Sequence, residues 1–288
     1  MTNTNVLSVY SGTAGSDAAR REPVGGVTSL CGEIYLLRRK ERDQVEVYDV
    51  VSYRLQRRVT VPNAESLLLS DIASCEHYRC VYIGDPSLEC VHRLDVQGAV
   101  THWPVNDEPQ GLSVNAAHNL IVTCREVGKI KEFSSRGELV RELTLPDDVI
   151  NPRHVIQARS SSQFILCHGH VDVIRPMHRV LVMSSDGRHI VQSHGGPRGS
   201  EPGQYDTPAR LAVDDDGFVF VADVLNCRVT LLSPTLQYVR HVVSRDQLNC
   251  EPYRLHLDKQ RRYLYVVDNE WSVEQATFTA GRVVVFHV

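Results

Sequence analysis

The residues of this sequence most suited to binding chemistry are three cations, each two positions after a proline: His154, Arg210 and Arg254. Guanidinium groups pair with carboxylates and phosphates through parallel hydrogen bonds. If the three side chains converge, they form a site for a carboxylate, a phosphate or an acidic peptide. The neighbouring residues that extend this predicted site are Arg153, Tyr205 and Tyr253.

An alternative interpretation of these cations is structural, with each arginine paired to a nearby carboxylate such as Asp206 or Asp258. A histidine-rich segment raises a separate question, because imidazole and carboxylate groups are zinc ligands. Its candidate ligands are His168, His170 and His178. They fall within one segment, which favours a solvated loop, so we expect neither a metal nor another cofactor.

Motifs of known catalytic chemistry are missing from the sequence. It contains no GxSxG nucleophile turn, no GxxxxGK[ST] phosphate loop and no HExxH zinc motif. We therefore expect a protein that is not an enzyme, with a metal-dependent lyase or hydrolase as an open alternative. A basic run at residues 38–42 suggests phosphate contact, although charge runs are usually solvated turns.

Composition sets limits on the kind of protein. The formal net charge is −4, without the basic surplus that is typical of nucleic-acid-binding proteins. We find neither a secretory signal at the N-terminus nor an apolar run of the roughly 18 residues that a membrane span needs. The eight cysteines are scattered and form no CxxC pair. We expect reduced, buried thiols and a cytoplasmic location.

An internal repeat positions these residues. The clearest unit runs from Pro208 to Val243 and contains four short β-rich segments separated by turn residues, with Asp215-Asp216-Gly217 as a hairpin signal. Similar units begin at Pro109, Pro152 and Pro252, at spacings of 43, 56 and 44 residues. Four strands at a period of about 40 to 50 residues predict the blades of a β-propeller.

The repeats predict one all-β domain over residues 1–288, a six-bladed propeller of four-stranded antiparallel blades. The expected blades are residues 24–62, 63–105, 106–148, 149–204, 205–248 and 249–288. The last unit lacks a fourth strand, and residues 5–10 supply a candidate that would close the ring and cover exposed sheet edges. The start of each innermost strand should ring the channel mouth, and the predicted ring is Gly26, Ser66, Gly111, His154, Arg210 and Arg254.

Residues 208–232 resemble the NHL-repeat family, whose pattern continues from a proline through Ala-Val-Asp and a glycine turn to Ala-Asp and Asn-x-Arg. In that family the propeller often resembles the target-recognition end of tripartite-motif ubiquitin ligases, and some members bind RNA. The resemblance implies recognition of a protein or peptide on the top face, where the innermost strands begin, with RNA as an alternative. The chain lacks the zinc spacing of a RING or B-box and is not itself a complete ligase.

Two further features follow from the repeat. Aspartates at its Ala-Asp position, such as Asp223 and Asp268, and arginines at its Asn-x-Arg position, such as Arg228 and Arg282, predict structural latches between strands. Two insertions, residues 194–207 and 269–280, predict long loops. The second loop contributes Trp271 and Phe278, whose aromatic rings are candidates for partner recognition.

Overall fold

The protein is described by a computed structural model that covers residues 6–10, 23–38, 44–62, 69–158, 161–169, 177–248, 251–272 and 277–288. Side chains of residues 6–10 and 271–280 are not among those described. Several sequence candidates therefore lie outside the described residues: Arg39 to Arg42, Ser66, His170 and the side chains of Trp271 and Phe278.

The described residues form six four-stranded antiparallel sheets, which confirms the predicted six-bladed propeller. The first three blades take consecutive strands from the chain. Blade 1 contains β2 (Val24–Leu30), β3 (Glu33–Arg38), β4 (Gln44–Asp49) and β5 (Leu55–Thr60). Blade 2 contains β6 (Ile72–Cys75), β7 (Cys80–Asp85), β8 (Cys90–Asp95) and β9 (Val100–Pro104). Blade 3 contains β10 (Pro109–Val114), β11 (Leu120–Cys124), β12 (Lys129–Phe133) and β13 (Leu139–Thr144).

The remaining blades follow the same order, and the last one also takes a strand from the N-terminus. Blade 4 contains β14 (Pro152–Gln157), β15 (Phe164–His168), β16 (Met177–Met183) and β17 (Ile190–Pro197). Blade 5 contains β18 (Pro208–Val213), β19 (Val219–Asp223), β20 (Arg228–Leu232) and β21 (Tyr238–Val243). Blade 6 contains β22 (Glu251–Asp258), β23 (Tyr263–Ser272), β24 (Thr277–His287) and β1 (Val6–Tyr10).

Ring closure by the N-terminal strand is confirmed, because β1 pairs antiparallel with β24. The amide of Asn269 ties the last blade to the first. Its Oδ1 accepts from the Val24 backbone N–H at 3.1 Å, and its Nδ2 donates to the Val24 carbonyl at 2.9 Å. The Asn269 side chain thus links blade 6 directly to the first strand of blade 1.

The core lies between blades, since each innermost strand contacts the innermost strands of its two neighbours around the ring. Apolar side chains from facing blades fill the gaps. Between blades 1 and 6, for example, Ile34 and Leu36 pack with Val267 and Val285, and all four are inaccessible to solvent. Across the described ranges, no helix is long and apolar enough to cross a membrane.

The two insertions differ in part from the predicted loops. Most of residues 269–280 extends β23 and β24 as an antiparallel ladder in which Trp271 pairs with Phe278. The first four residues of 194–207 belong to β17. The loop prediction is confirmed for residues 198–207 and wrong for most of residues 269–280, where the backbone pairing of β23 with β24 continues beyond the repeat.

Candidate binding site in the central channel

Each blade places one residue at the channel, at or just before the start of its innermost strand, and in five blades this residue follows a β-bulge. The pairing register between the first two strands shifts just before this residue in five blades, as between Pro208 and Arg210. Such a bulge kinks the strand and re-aims a side chain. We call this set the channel ring, and its members are Gly26, Asp71, Gly111, His154, Arg210 and Arg254.

Asp71 takes the place of Ser66 in the predicted ring. The Gly84 N–H donates to the Asp71 carbonyl at 3.0 Å. Gly84 is the residue before Asp85 in blade 2, and Ala222, which pairs with Arg210, is the residue before Asp223 in blade 5. Asp71 therefore occupies in blade 2 the position that Arg210 occupies in blade 5. Blade 2 has no proline at the start of its innermost strand, and this hid the register in the sequence. The ring therefore contains a carboxylate that the sequence analysis missed.

The carboxylate of Asp71 lies between the two arginines. Its Oδ2 is 3.3 Å from Arg210 Nη2, and its Oδ1 is 3.4 Å from Arg254 Nε. It also accepts from the Leu112 backbone N–H at 2.8 Å. The structural alternative is confirmed in that both arginines pair with a carboxylate, but the partner is Asp71 of blade 2 and not Asp206 or Asp258.

Arg210 spans the channel. Its Nη1 donates to the Arg153 carbonyl at 3.0 Å, and its Nη2 donates to the Gln110 carbonyl of blade 3 at 2.9 Å. Burial, together with the charge of Arg254, lowers the pKa of Arg210 to about 10. Arg210 therefore keeps its proton and its charge at neutral pH. Backbone carbonyls and Asp71 stabilise that charge.

Arg254 and His154 complete the closure. Arg254 donates to the Ser70 carbonyl of blade 2, and its guanidinium carbon lies 4.1 Å from the centre of the Tyr253 ring. His154 Nε2 donates to the Leu112 carbonyl at 3.0 Å, while Nδ1 accepts from the Leu211 N–H at 3.3 Å. Burial and the charge of Arg210 lower the pKa of His154 to about 4, so the imidazole is neutral.

The channel ring therefore closes one end of the channel. Asp71, His154, Arg210 and Arg254 are each only 5 or 6 % exposed. We call this the proline end, because the prolines of blades 3 to 6 lie there. It is the end at which the sequence predicted an open binding mouth.

The other residues predicted to line an exposed binding mouth at this end are also partly or fully buried. Arg153 is partly buried, and its Nε donates to the Gly169 carbonyl at 3.2 Å. Tyr205 is 1 % exposed and packs between blades 4 and 5 with Cys167 and Leu211. An aromatic residue that the sequence placed on a binding surface is thus part of the core.

The predicted metal ligands that the structure describes are engaged elsewhere. His168 Nε2 accepts from Arg179 Nε at 3.0 Å, and its Nδ1 lies 3.3 Å from the Ile150 carbonyl. His178 Nδ1 accepts from the Thr207 N–H at 2.9 Å. Both rings are buried, not solvated in a loop as we expected. Arg38, from the basic run, is 3 % exposed and pairs with Glu46 at 2.8 Å.

The predicted latches are confirmed in two blades. Arg228 Nε lies 2.8 Å from Asp223 Oδ2 in blade 5, and Arg282 Nε lies 2.7 Å from Asp268 Oδ2 in blade 6. In both blades the aspartate belongs to the second strand and lies directly opposite the arginine of the third strand. The pairs fasten neighbouring strands and take no part in the channel.

The channel is open at its opposite end. A cavity of about 590 Å³ extends from Asp71, His154 and Arg210 to the hairpin turns that join the first and second strands of the blades. We call it the hairpin-end cavity. A second cavity of about 670 Å³ adjoins it at the turns of blades 1, 2, 3 and 6. Cavities of this size accommodate a small ligand or a short peptide segment.

Carboxylates outnumber cations around the opening. At the opening, Lys259 pairs with Asp215 at 3.0 Å and Arg261 pairs with Asp258 at 3.1 Å, whereas Asp71 at the closed end is shared by Arg210 and Arg254. Three further carboxylates line the two cavities, namely Glu76, Asp214 and Asp216. The net charge of the described lining is thus negative, which favours neutral or cationic ligands.

A histidine on the wall of this cavity was not singled out by the sequence. His256 Nε2 lies 3.0 Å from the Ser29 backbone N and 2.8 Å from Ser29 Oγ. Because a backbone N–H only donates, Nε2 accepts and carries no proton. Asp258 Oδ2 accepts from the Ser29 hydroxyl at 3.3 Å. The residues are more than 220 positions apart, and only ring closure brings them together.

No protein-family model matches this sequence, and no curated protein matches it. Solved structures match over nearly the whole chain. Hydrazine synthase of Kuenenia stuttgartiensis has a TM-score of 0.64 at 13 % identity, covering 96 % of this chain and 99 % of that one. A streptogramin B lyase has a TM-score of 0.63 at 11 % identity, covering 94 % and 85 %. A catalytically inactive variant of virginiamycin B lyase from Staphylococcus aureus, with quinupristin, has a TM-score of 0.63 at 9 % identity, covering 99 % and 98 %. At these identities the likeness shows the six-bladed propeller fold alone.

Proposed function

We propose that this protein is a non-catalytic binding module that takes a neutral or cationic peptide segment of a protein partner into the hairpin-end cavity. The observation that carries the proposal is a cavity of about 590 Å³ that the channel ring closes at one end. More carboxylates than cations surround its opening. This moves the binding site from the top face that the sequence predicted to the opposite end.

The channel ring supports this change of site. A site for an acidic ligand needs guanidinium N–H groups that point at the ligand. Here the Nη donors of Arg210 and Arg254 already bond to carbonyls of other blades, and Asp71 supplies the counter-charge. A ligand carboxylate would have to displace those bonds, so we no longer favour an acidic partner.

The cavity wall offers neutral polar groups as well as charge. Thr28, Ser74, Ser113 and Gln157 line it, together with apolar side chains such as Leu255. Hydroxyl and amide groups both donate and accept, which suits the backbone of an extended peptide. A lysine or arginine of the partner would meet the carboxylates at the opening.

Two alternatives remain as proposals. RNA has less support, because phosphates would approach a negatively charged opening. Catalysis at the channel is favoured by one observation, the 2.8 Å contact between Ser29 Oγ and His256 Nε2, and by the likeness to lyases of the same fold. Against catalysis, the Ser29 N–H already occupies Nε2, and Asp258 would repel a developing oxyanion.

The resemblance to NHL repeats supports membership of that family and recognition of targets for a ubiquitin ligase, and both remain proposals. The seven described cysteines are free thiols, as we expect for a protein of a reducing compartment such as the cytoplasm.

The proposal is tested by fluorescence anisotropy with four labelled probe pools: cationic, neutral and acidic peptides, and oligoribonucleotides. We expect the cationic or neutral peptides to bind and the acidic ones to bind at least tenfold more weakly. Preferential binding of acidic peptides or of oligoribonucleotides would overturn the proposal.

A pair of adjacent alanines provides the matched control. Ala116 lines both cavities, whereas Ala117 is exposed and lines neither. We expect Ala116→Trp to fill the opening and weaken peptide binding at least tenfold, and Ala117→Trp to bind as the unchanged protein does. Equal binding by both variants would place the site elsewhere.

A further inference from the structure

One buried carboxylate differs from its counterparts in the other blades. Asp85 ends the second strand of blade 2 and is inaccessible to solvent. In blades 5 and 6, the aspartate at this position pairs with an arginine that provides one full positive charge. Blade 2 has Cys90 where blade 5 has Arg228, as the strand registers show. Burial of a carboxylate without a cation is costly, and a positive charge on His92 or on a bound cation would stabilise Asp85.

Two further metal-ligand types converge on Asp85. His92 Nε2 lies 3.2 Å from Asp85 Oδ2 and 3.6 Å from Cys90 Sγ. All three ligand atoms fall within 4.8 Å of one another. Cys90 is 4 % exposed and His92 is 1 % exposed. A carboxylate, a thiol and an imidazole thus face one another in a closed space beneath the turn at residues 86–89.

The separations fit a tetrahedral zinc centre. Zinc bond lengths of roughly 2.0 Å to nitrogen and oxygen and 2.3 Å to sulfur place tetrahedral ligands about 3.3 Å apart for N and O, and about 3.5 Å apart for N and S. The observed distances are 3.2 Å and 3.6 Å. Two of the three separations therefore match those of bound zinc ligands, and the third, between Asp85 and Cys90, lies within 4.8 Å.

Charge and orientation also fit a divalent cation. Zn²⁺ balances the carboxylate of Asp85 and a thiolate at Cys90, which gives a neutral buried group. The second carboxylate oxygen of Asp85 accepts from the Leu88 N–H at 3.1 Å, a bond of the kind that orients metal ligands. A hydrogen bond between Asp85 and His92 explains their contact but assigns no role to the thiol.

We propose that Asp85, Cys90 and His92 form a zinc site that takes the place of the aspartate–arginine latch in blade 2. Cys90 binds as the thiolate and releases its proton to solvent on metal entry. Three protein ligands leave the fourth tetrahedral position to water or another small ligand. None of the three residues lines the hairpin-end cavity or its neighbour, so the site is independent of the proposed peptide binding.

Metal content and the cobalt spectrum test the site. The full chain is produced in medium supplemented with zinc or with cobalt, in a background of Cys31→Ser, which removes an exposed thiol. We expect one equivalent of zinc, and in the cobalt form a thiolate-to-cobalt charge-transfer band. Less than one-tenth of an equivalent of zinc and no such band would overturn the proposal.

Variants identify the ligands. We expect Cys90→Ser and His92→Asn each to reduce the bound zinc at least tenfold and Cys90→Ser to abolish the charge-transfer band. The matched control is Cys124→Ser, a buried thiol that ends the second strand of blade 3 as Asp85 does in blade 2, and it should bind a full equivalent. Retention of zinc and of the band by Cys90→Ser would overturn the assignment. If that variant does not fold, the spectrum of the Cys31→Ser protein decides the question.

Discussion

His256 Nε2 lies 2.8 Å from Ser29 Oγ across the boundary between the last blade and the first. The pair has the composition of a nucleophile and its base, but its bonding differs from that of a catalytic pair. Nε2 also accepts the Ser29 backbone N–H at 3.0 Å, and the carboxylate of Asp258 lies beside the serine instead of behind the histidine. The contact is better explained as a tie that closes the ring.

We therefore expect Ser29 not to react with a fluorophosphonate probe, because Asp258 disfavours negative charge on its oxygen. The measurement is mass spectrometry of the labelled protein beside a serine hydrolase as positive control. Labelling of Ser29 that disappears in His256→Ala would instead support the catalytic alternative.

Stability should fall as the pH decreases from 7 to 5. Burial lowers the pKa values of three histidines to about 4, and they are His154, His168 and His256. The unfolded chain takes up their protons near pH 6.5 and the folded chain only near pH 4, so stability is present above pH 6.5 and is lost between these values. The slope is about 1.4 kcal/mol per pH unit for each proton.

Asp223 partly offsets this effect, because burial raises its pKa to about 6. As the pH falls, this carboxylate takes up its proton in the folded chain before it does so in the unfolded chain, which stabilises the folded state. We expect a net loss of roughly 2–5 kcal/mol in the free energy of unfolding by urea between pH 7 and pH 5. His256→Asn should make the dependence on pH shallower. An unchanged free energy over this range would contradict the prediction.

Removal of the charge of Asp71 should destabilise the fold. Asp71→Asn leaves Arg210 and Arg254 buried without their counter-ion, and such a change costs about 3–5 kcal/mol. Urea denaturation measures it, with the exposed Asp216→Asn as the control. Adding Arg254→Met to Asp71→Asn should recover part of the loss, whereas equal stability of Asp71→Asn and the unchanged protein would show that the channel ring needs no carboxylate.

The tie between Asn269 and Val24 leaves no room at Gly281. A Cβ built there would lie 2.6 Å from the Val24 nitrogen and would also collide with Asn269 Oδ1. Gly281→Ala should therefore lower the free energy of unfolding by about 1–3 kcal/mol. Gly196→Ala is the control, since a Cβ at Gly196 meets nothing within 4 Å. Equal effects of the two substitutions would argue that the tie is dispensable.

The sequence was sufficient to predict the fold because alternation within strands and turn residues between them recur at the period of a blade. It also gave five of the six positions of the channel ring. Asp71 was missed because blade 2 lacks the proline that marks the register in blades 3 to 6. The side chains of Arg210 and Arg254 close the proline end because they extend across the channel. A repeat pattern carries no information about the direction in which a side chain extends.

The same limit applies to the other contacts. Ser29 and His256 lie in the first and the last repeat, at positions that the repeat pattern does not mark, and only the circular arrangement of blades makes them neighbours. Tyr205 shows the converse, since an aromatic residue beside a glycine-rich segment was predicted to be exposed and instead fills the space between blades 4 and 5.

Among the described residues, the arginines that reach across the channel close its proline end, so the hairpin-end cavity opens toward the hairpin turns. When a ligand enters, the water that it displaces has to leave through the opening that the ligand uses. Ligand entry and water displacement then compete for the same opening. Slow association is the expected consequence for a bulky ligand, and a slender, extended segment would be admitted faster than a compact one of equal volume.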